Sequence, residues 1–497
     1  MKTAITPTRE EDFNEWYQEV VKSGDLAENS PVRGCMIIKP HGYSIWEGMQ
    51  KHLDAEFKRT GHQNVYFPML IPLSYLEKEA EHVEGFAKEC AVVTHRRLVK
   101  DGDRLKPDGE LGEPYVIRPT SEMVIGEAFA KWVNSYRDLP IKINQWANVM
   151  RWEMRPRIFL RTSEFLWQEG HTVHATAEEA VQETLTMLEV YRSFFEDVLA
   201  IPVMPGQKTE SEKFPGADST YTIEAMMQDG KALQGGTSHF LGQNFAKAQG
   251  IKFADKDLSE KYAFTTSWGV STRMIGGLIM THSDDDGLVL PPKIAAVHVK
   301  LLPIYKKEAE REEVLAYVND LMAEVSKVDF NGGKVSVEVD DRDIRGGEKY
   351  WSNVKKGYPI ILEIGPRDVK NGKVFMTRRD LGTGAKSGIA KDDFISSVAS
   401  MLEEAQANLY TRAKEKRDAN IVEISSKDQF EEVFSRKEFP NKMGFAYIAD
   451  NEESRNILSE KQMSFRCMPL TEQEVEGKTC IFTGEPVKRR VIIAKSY

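Results

Sequence analysis

An α+β protein built on an antiparallel sheet that carries helices, followed by an α/β unit and a small α+β unit, is the fold class this sequence predicts. Three observations lead there. Before residue 283, stretches of helical apolar spacing mix irregularly with short apolar runs of strand length. An acidic, turn-rich seam, Ser283-Asp284-Asp285-Asp286-Gly287 followed by Pro291-Pro292, then closes that region. Beyond it strand and helix patterns alternate regularly, which indicates a partly parallel sheet. The units are placed at 1–286, 287–415 and 416–497, a division that 497 residues readily fill.

In the first unit, Ile45, Trp46, Met49, Leu53 and Phe57 recur at helical spacing, and Val65 to Pro72 reads as a buried strand broken by Pro68 and Pro72. Val181, Leu185, Leu188, Tyr191, Phe195 and Val198 mark one face of a long helix, with Thr176 and Glu179 as a capping box at its start. Ile141 to Val149, Tyr221 to Met226 and Leu278 to Met280 read as sheet strands. In the second unit the order is strand Ala296 to Ile304, helix Glu308 to Val325, strands Val335 to Val339 and Pro359 to Ile364, then a closing pattern through Phe394, Val398, Met401 and Leu409. The third unit offers short strands at Gly444 to Ile448 and Val491 to Ala494.

Composition excludes several classes. With 67 Lys+Arg against 77 Asp+Glu and 41% hydrophobic residues, the chain is an ordinary globular one, and its acidity argues against blanket nucleic-acid binding. Any nucleic-acid contact must come from local basic patches. Neither an N-terminal apolar segment nor eighteen consecutive apolar residues occur, so neither a signal peptide nor a membrane span is expected. Cys35, Cys90, Cys467 and Cys480 form no CxxC pair, which fits a reducing cytoplasm.

Residues 151–161 carry four arginines against one glutamate, and the run Phe165-Leu166-Trp167-Gln168-Glu169-Gly170-His171 follows. Four close guanidinium groups repel one another unless an anion such as polyphosphate sits among them; a solvated basic hairpin is the alternative. Arg273 enters an apolar, glycine-rich stretch, Ser267 to Gly277, where it needs an anionic ligand or an internal salt bridge. Arg118-Pro119-Thr120-Ser121-Glu122 and Gln234-Gly235-Gly236-Thr237-Ser238-His239 add polar groups, although Thr120 and Ser121 are also good helix caps. Neither GxxxxGK[ST] nor a strand-borne GxGxxG is present.

Taken in order, these segments resemble the three motifs of class II aminoacyl-tRNA synthetases, and specifically prolyl-tRNA synthetases of the archaeal and eukaryotic type. The similarity runs from about Val32 to Tyr497. The fold it implies is the class II catalytic domain, then an anticodon-binding α/β domain and a C-terminal domain. It also implies proline–tRNA ligation with ATP and Mg²⁺, tRNA(Pro) as partner, and a homodimer joined through the helix and strand ending at Pro68. In the resemblance, Arg151 grips the α-phosphate and Arg273 the γ-phosphate. Glu153 meets the adenine amino group, Phe165 stacks on adenine, and Arg161 lies along the phosphates. Gln234, Thr237 and His239 complete the nucleotide site. Thr120, Glu122, Trp167, Glu169, His171 and Phe214 correspond to the proline pocket, with Arg151 at its edge, and the final tyrosine tucks back near the site. The basic tract Arg345 to Arg379, nine Lys and Arg against three acids, would face the anticodon, with Glu363 and Arg367 suited to reading base edges. A solvated charged face is the alternative there.

Two departures stand out. Where relatives hold zinc through four cysteines, this chain reads Ala449, Ser454, Cys480 and Thr483, so no structural zinc is expected. The segment between His171 and Gln234 is too short for an editing domain, so cysteine and alanine are expected to be misactivated. The competing readings are a class II synthetase for threonine or serine, whose hydroxyl would want polar rather than aromatic pocket walls, and a non-catalytic RNA-binding relative lacking Arg151, Glu153 or Arg273.

Overall fold

The computed structural model describes residues 3–77, 89–435 and 439–497. Helices α1 (Phe13–Ser23) and α2 (Pro40–Arg59) open the chain. Pro40 at the first turn of α2 supplies the backbone angle a helix start needs, and all five apolar positions read from the sequence are buried. The segment after α2 is not one buried strand. It splits into β1 (Gln63–Asn64) and β2 (Leu70–Pro72), and between them Tyr66 is 73% exposed. Pro68 and Pro72 remove ladder donors, which is why no continuous strand forms. β2 pairs instead with the second strand of a long hairpin, β3 (Ala91–Asp101) and β4 (Arg104–Ile117), so β4 lies between β2 and β3.

α3 (Glu122–Trp132), β5 (Ile141–Met150), β6 (Glu164–His174) and α4 (Ala177–Ser193) follow. Thr176 caps α4 by accepting from Glu179 N at 3.2 Å, but the Glu179 carboxylate reaches back to Ala175 N at 3.3 Å, one residue beyond a true capping box. The buried face of α4 is also rotated from the expected one: Ala180, Thr184, Met187, Leu188 and Tyr191 are covered, whereas Val181 and Leu185 are only half-buried. A π turn at Phe194–Val198 then redirects the chain into β7 (Val203–Gln207).

β8 (Ser219–Met226), β9 (Ala232–Gly242) and β10 (Phe264–Ser271) complete the centre of the sheet, and α5 (Arg273–His282) packs on it. Leu278 to Met280 belongs to α5 and is not a strand. A short apolar run does not distinguish a buried helix from a buried strand. Gly276 and Gly277 let α5 lie close against Leu160 and Leu233: an added Cβ would stand 2.4 and 2.8 Å from them.

The second unit contains β11 (Val299–Pro303), α6 (Glu308–Val325), β12 (Val337–Val339), β13 (Ile360–Ile364), α7 (Pro366–Asn371), β14 (Lys373–Arg378), β15 (Lys386–Ala390) and α8 (Lys391–Asp418). Its sheet order is β12-β11-β13-β14-β15, parallel on one side of β13 and antiparallel on the other, so it is partly parallel as expected.

The third unit supplies β16 (Ile421–Ile424), β17 (Met443–Ala446), β18 (Ser464–Pro469) and β19 (Val491–Ala494). These strands do not stand apart. β18 pairs with β7, which makes one eleven-stranded sheet ordered β16-β17-β19-β18-β7-β8-β9-β10-β6-β5-β1. It is antiparallel except at its two ends.

Candidate active site

A cleft of about 320 Å³ opens on the centre of this sheet. One of its walls is β6, whose side chains alternate between faces. Phe165, Trp167, Glu169 and His171 line the cleft, whereas Gln168 turns to the helix layer and accepts from Tyr191 Oη at 2.8 Å. Close approach is needed at Gly170, where a Cβ would lie 2.0 Å from the Trp268 ring.

Glu169 is an organising carboxylate. It accepts from Ser121 Oγ at 2.5 Å, Ser121 N at 3.2 Å, Gln145 Nε2 at 2.6 Å and His171 Nε2 at 3.0 Å. Burial alone would raise its pKa, but the bond and charge of His171, with Ser121 and Gln145, hold it below the usual carboxylate value. Burial would likewise lower His171, and Glu169 raises it. Ser121 was marked in the sequence as part of a polar motif and a candidate helix cap rather than as a partner of Glu169, and Gln145 was not singled out at all. Beside them Thr120 Oγ1 donates to Glu122, and both line the cleft.

Arg151 follows β5. Its Nε donates to Pro119 O at 2.8 Å, and its guanidinium lies 5.8 Å from the Phe165 ring centre and 5.5 Å from that of Trp167. Loss of solvation lowers its pKa against the pull of Glu122 and Glu169. Arg273, at the first turn of α5, donates Nε to Leu160 O at 3.1 Å, and desolvation together with Arg161 and Arg151 pushes it down to about 10. A group of guanidinium ions repelling one another around a cavity is an arrangement waiting for a polyanion.

Glu153 and Arg161 line an adjoining cavity of about 360 Å³ that shares Arg151, Phe165, Ser271 and Arg273 with the cleft. They pair with each other, Arg161 Nε to Glu153 Oε2 at 3.0 Å, and Arg155 N donates to Glu153 Oε1 at 2.8 Å. Tyr497 closes this cavity: its hydroxyl donates to Asp229 Oδ2 at 2.7 Å and its amide to Ala232 O at 3.1 Å. Gln234, Thr237 and His239 line the main cleft from β9, and the Phe214 ring lies 4.6 Å from His239. Thr220 Oγ1 is 3.0 Å from His239 Nδ1, and burial keeps that imidazole neutral with a pKa of about 3.

Lys208, Glu212 and Lys213 also line the cleft. They sit in an unremarkable charged stretch, and no sequence signal marks them. Among the described residues no group of three or more His, Cys, Asp or Glu is gathered to hold a metal ion. At the positions expected from the sequence resemblance to correspond to zinc ligands, Ser454 Oγ lies 3.7 Å from Cys480 Sγ, and Asn451 Nδ2 donates to Thr483 Oγ1 at 3.4 Å. Burial would raise the Cys480 thiol, but hydrogen bonds from Thr483 and from the backbone around Ala449 lower it.

The basic tract of the second unit is not one solvent-facing patch. Lys349 is buried, donating to Pro303 O at 3.2 Å. Arg378 pairs with Asp380 and Glu404, and Arg379 forks onto both carboxylate oxygens of Asp284 at 2.8 and 2.9 Å. Those three serve the fold. Arg345, Arg367, Lys370 and Lys373 remain exposed. Glu363, near the end of β13, accepts from Lys386 Nζ at 2.7 Å, and Arg367 lies on α7. No described helix is long and apolar enough to cross a membrane.

Three family models match the chain: tRNA synthetase class II core domain (G, H, P, S and T) over residues 105–282, anticodon binding domain over 298–401, and prolyl-tRNA synthetase, C-terminal, over 428–497. The chain is 57% identical over 498 residues to a proline–tRNA ligase of Bdellovibrio bacteriovorus, covering 100% of this chain and 99% of that one. It is 56% identical over 503 residues to a proline–tRNA ligase of Akkermansia muciniphila, with 100% and 99% covered. A prolyl-tRNA synthetase from Cryptosporidium parvum, solved with L-proline and AMP, is similar with a TM-score of 0.89 at 37% identity over 99% of this chain and 97% of the other.

Proposed function

The chain belongs to the prolyl-tRNA synthetases, class II enzymes that ligate proline to tRNA at the cost of ATP, and on that premise we propose how its own residues divide the work. The observation that carries the assignment is the convergence of Phe165, Trp167, Glu169 and His171, alternate residues of one strand, with Arg151 and Arg273 on one cleft.

Glu122 takes the secondary ammonium of proline, and Trp167, Phe214 and His171 wall its rigid ring. Glu169 holds Ser121, Gln145 and His171 in place. Phe165 stacks on the adenine; Glu153 faces the adenine amino group, and Arg161, paired with it, lies along the phosphates. Gln234, Thr237 and His239 close the nucleotide site. A proline carboxylate oxygen bonds to the α-phosphorus as the bond from that phosphorus to the bridging oxygen breaks, and the electron pair leaves on diphosphate. No proton moves, so no general base is required. Arg151 and Arg273 stabilise charge on either side of the reacting phosphorus. The terminal ribose hydroxyl of tRNA then attacks the adenylate carbonyl, forming the ester and releasing AMP.

Class II synthetases use ATP with Mg²⁺. Around this cleft Glu122, Glu153, Glu169 and Glu224 are engaged by Thr120, Arg161, His171 and Lys208 respectively, and among the described residues no group of three or more His, Cys, Asp or Glu forms a dedicated cage, so no step is assigned to the metal. Glu363 and Arg367 read anticodon edges, supported by the exposed Arg345, Lys370 and Lys373 nearby in sequence. We assign the domains to 1–286, 287–415 and 416–497, the last bound into the catalytic sheet. A homodimer through the surface around Tyr66, Met69 and Leu70 is supported by their exposure, and the archaeal and eukaryotic subtype by the short 171–234 segment. The cytoplasm, where tRNA is charged, is its compartment.

Amino-acid-dependent ATP–diphosphate exchange without tRNA, run across all twenty amino acids, tests the pocket. Proline is expected to dominate, with alanine and cysteine trailing detectably, because each missing methylene is worth only about 1–3 kcal/mol of discrimination. A different preferred amino acid would overturn the pocket assignment; no adenylate with alanine or cysteine would overturn the misactivation.

A further inference from the structure

The loop that carries Phe214 is held in part from outside the catalytic unit. It joins β7 to β8 across residues 208–218, and Lys208, Glu212, Lys213, Phe214 and Pro215 all line the cleft. At its root Lys208 Nζ donates to Glu224 Oε1 at 3.0 Å. Arg466, arriving on β18 from the third unit, donates to Glu224 Oε2 from Nε at 3.0 Å and from Nη2 at 2.9 Å. Glu212 adds its charge to the same corner, where two acids face two cations, so the root is balanced in charge. Past the crest, Phe214 N donates to Thr220 Oγ1 at 2.9 Å. The crest itself is a single 3₁₀ turn, Glu210–Glu212, which closes too few hydrogen bonds to hold its own shape.

The outside tie of the crest is Asp450. Its Oδ2 accepts from Ser211 N at 2.7 Å, although the two residues are 239 apart in sequence, and its Oδ1 accepts from Arg455 Nη1 at 2.8 Å. Arg455 lies on α9 (Glu452–Glu460), whose start is capped by Asn451 accepting from Ser454 N at 2.9 Å. The Asp450 side chain is 13% exposed. A carboxylate with one oxygen on a guanidinium and the other on a loop amide makes two charge-assisted bonds, and it removes freedom from the loop before a ligand arrives. Ser211 is three residues from Phe214, so fixing the first places the second. A wall that spends only part of its time in the binding position weakens apparent affinity by that fraction and leaves the chemistry of the bound complex unchanged.

We propose that Asp450 is a positioning residue for proline binding: by holding Ser211 N it keeps the Phe214 wall against the ring site before proline enters, so that the third unit sets the affinity of the first for its amino acid. This rests on the reading of Phe214 as a wall of the proline pocket.

Proline-dependent ATP–diphosphate exchange by the full chain, expressed per titrated active site, tests it. Asp450→Ala is expected to raise the KM for proline about fivefold, with kcat and the KM for ATP within about twofold. Asp450→Asn, which keeps an oxygen facing Ser211 N, recovers most of the loss. Hydrogen exchange on the unsubstituted enzyme gives a reading independent of any variant's folding: the Ser211 amide is expected to be protected although the residue is exposed. A KM for proline that does not move, a change confined to the melting temperature and the number of titratable sites, or a Ser211 amide exchanging as fast as in an unstructured chain overturns the proposal. Phe214→Ala separates it from the reading beneath it. That variant is expected to raise the KM for proline at least as much as Asp450→Ala; if it does not, the pocket wall is misassigned and the proposal falls with it. A raised KM in Phe214→Ala with none in Asp450→Ala overturns the proposal alone.

Discussion

Arg273 and Arg151 face a common cavity yet are each tied to a backbone carbonyl, Leu160 O and Pro119 O, so their guanidinium groups are aimed before any phosphate arrives. Arg273→Ala is expected to lower kcat/KM for proline-dependent exchange about 10²–10³-fold, the loss typical of one preorganised charge, as steady-state kinetics would show. The Glu169–His171 pair sets a pH dependence. His171 is raised above its ordinary 6.5, so its contribution is fully present below that pH and is lost as pH rises through the folded value. Glu169 is lowered, so its part is lost only in acid, as pH falls through its folded value. The KM for proline is therefore expected to rise on an alkaline limb above pH 6.5, and His171→Asn to abolish that limb. The side chains expected from sequence at the cleft were legible because aromatic, acidic and arginine residues crowd into short motifs. Gln145 and Lys208 were not, and Ser121 was legible only as a polar neighbour and cap candidate: all three act through contacts with residues distant in sequence, and their types are common everywhere.

The run Phe165 to His171 stood out in the sequence as an aromatic and acidic motif but not as a strand; folded as β6, its period-two alternation sends Phe165, Trp167, Glu169 and His171 to one side. α6 matches its expected span, Glu308–Val325, since its apolar spacing is uninterrupted. α5 was misread in part, because its glycines and continuous burial erase the amphipathic period. The packing of β6 against β10 is tight enough to predict from. Gly170→Ala would press a methyl into the Trp268 ring, at an overpacking cost of about 1–3 kcal/mol, and is expected to lower the melting temperature measurably. Gly112→Ala on β4, where nothing lies within 4 Å of the added carbon, is expected to change it little and serves as the control.

Over the whole molecule, the three units were legible in order, but the joining of the third to the first was not. A pairing between residues 203–207 and 464–469 leaves no local trace. His174 and His298, with pKa values of about 4, and His239 and His282, at about 3, are kept neutral chiefly by burial. Unfolded histidines take up protons near pH 6.5, so the unfolded state binds more protons between there and about pH 4, and stability falls as pH drops through that window. A melting temperature declining from pH 7 to 5, with a shallower decline in His282→Asn, is the expected record.

The β7–β18 junction also dictates an order of manufacture. β7 leaves the ribosome long before its neighbour, and at translation speeds of about 5–20 residues per second the interval is on the order of 10–50 s. During that time the nascent catalytic sheet presents a bare edge with unanswered amide and carbonyl groups, the kind of template on which other chains assemble. The Glu224 carboxylate likewise waits for Arg466. A growing polypeptide of this design is thus most in need of a chaperone's cover until nearly its last strands have been translated.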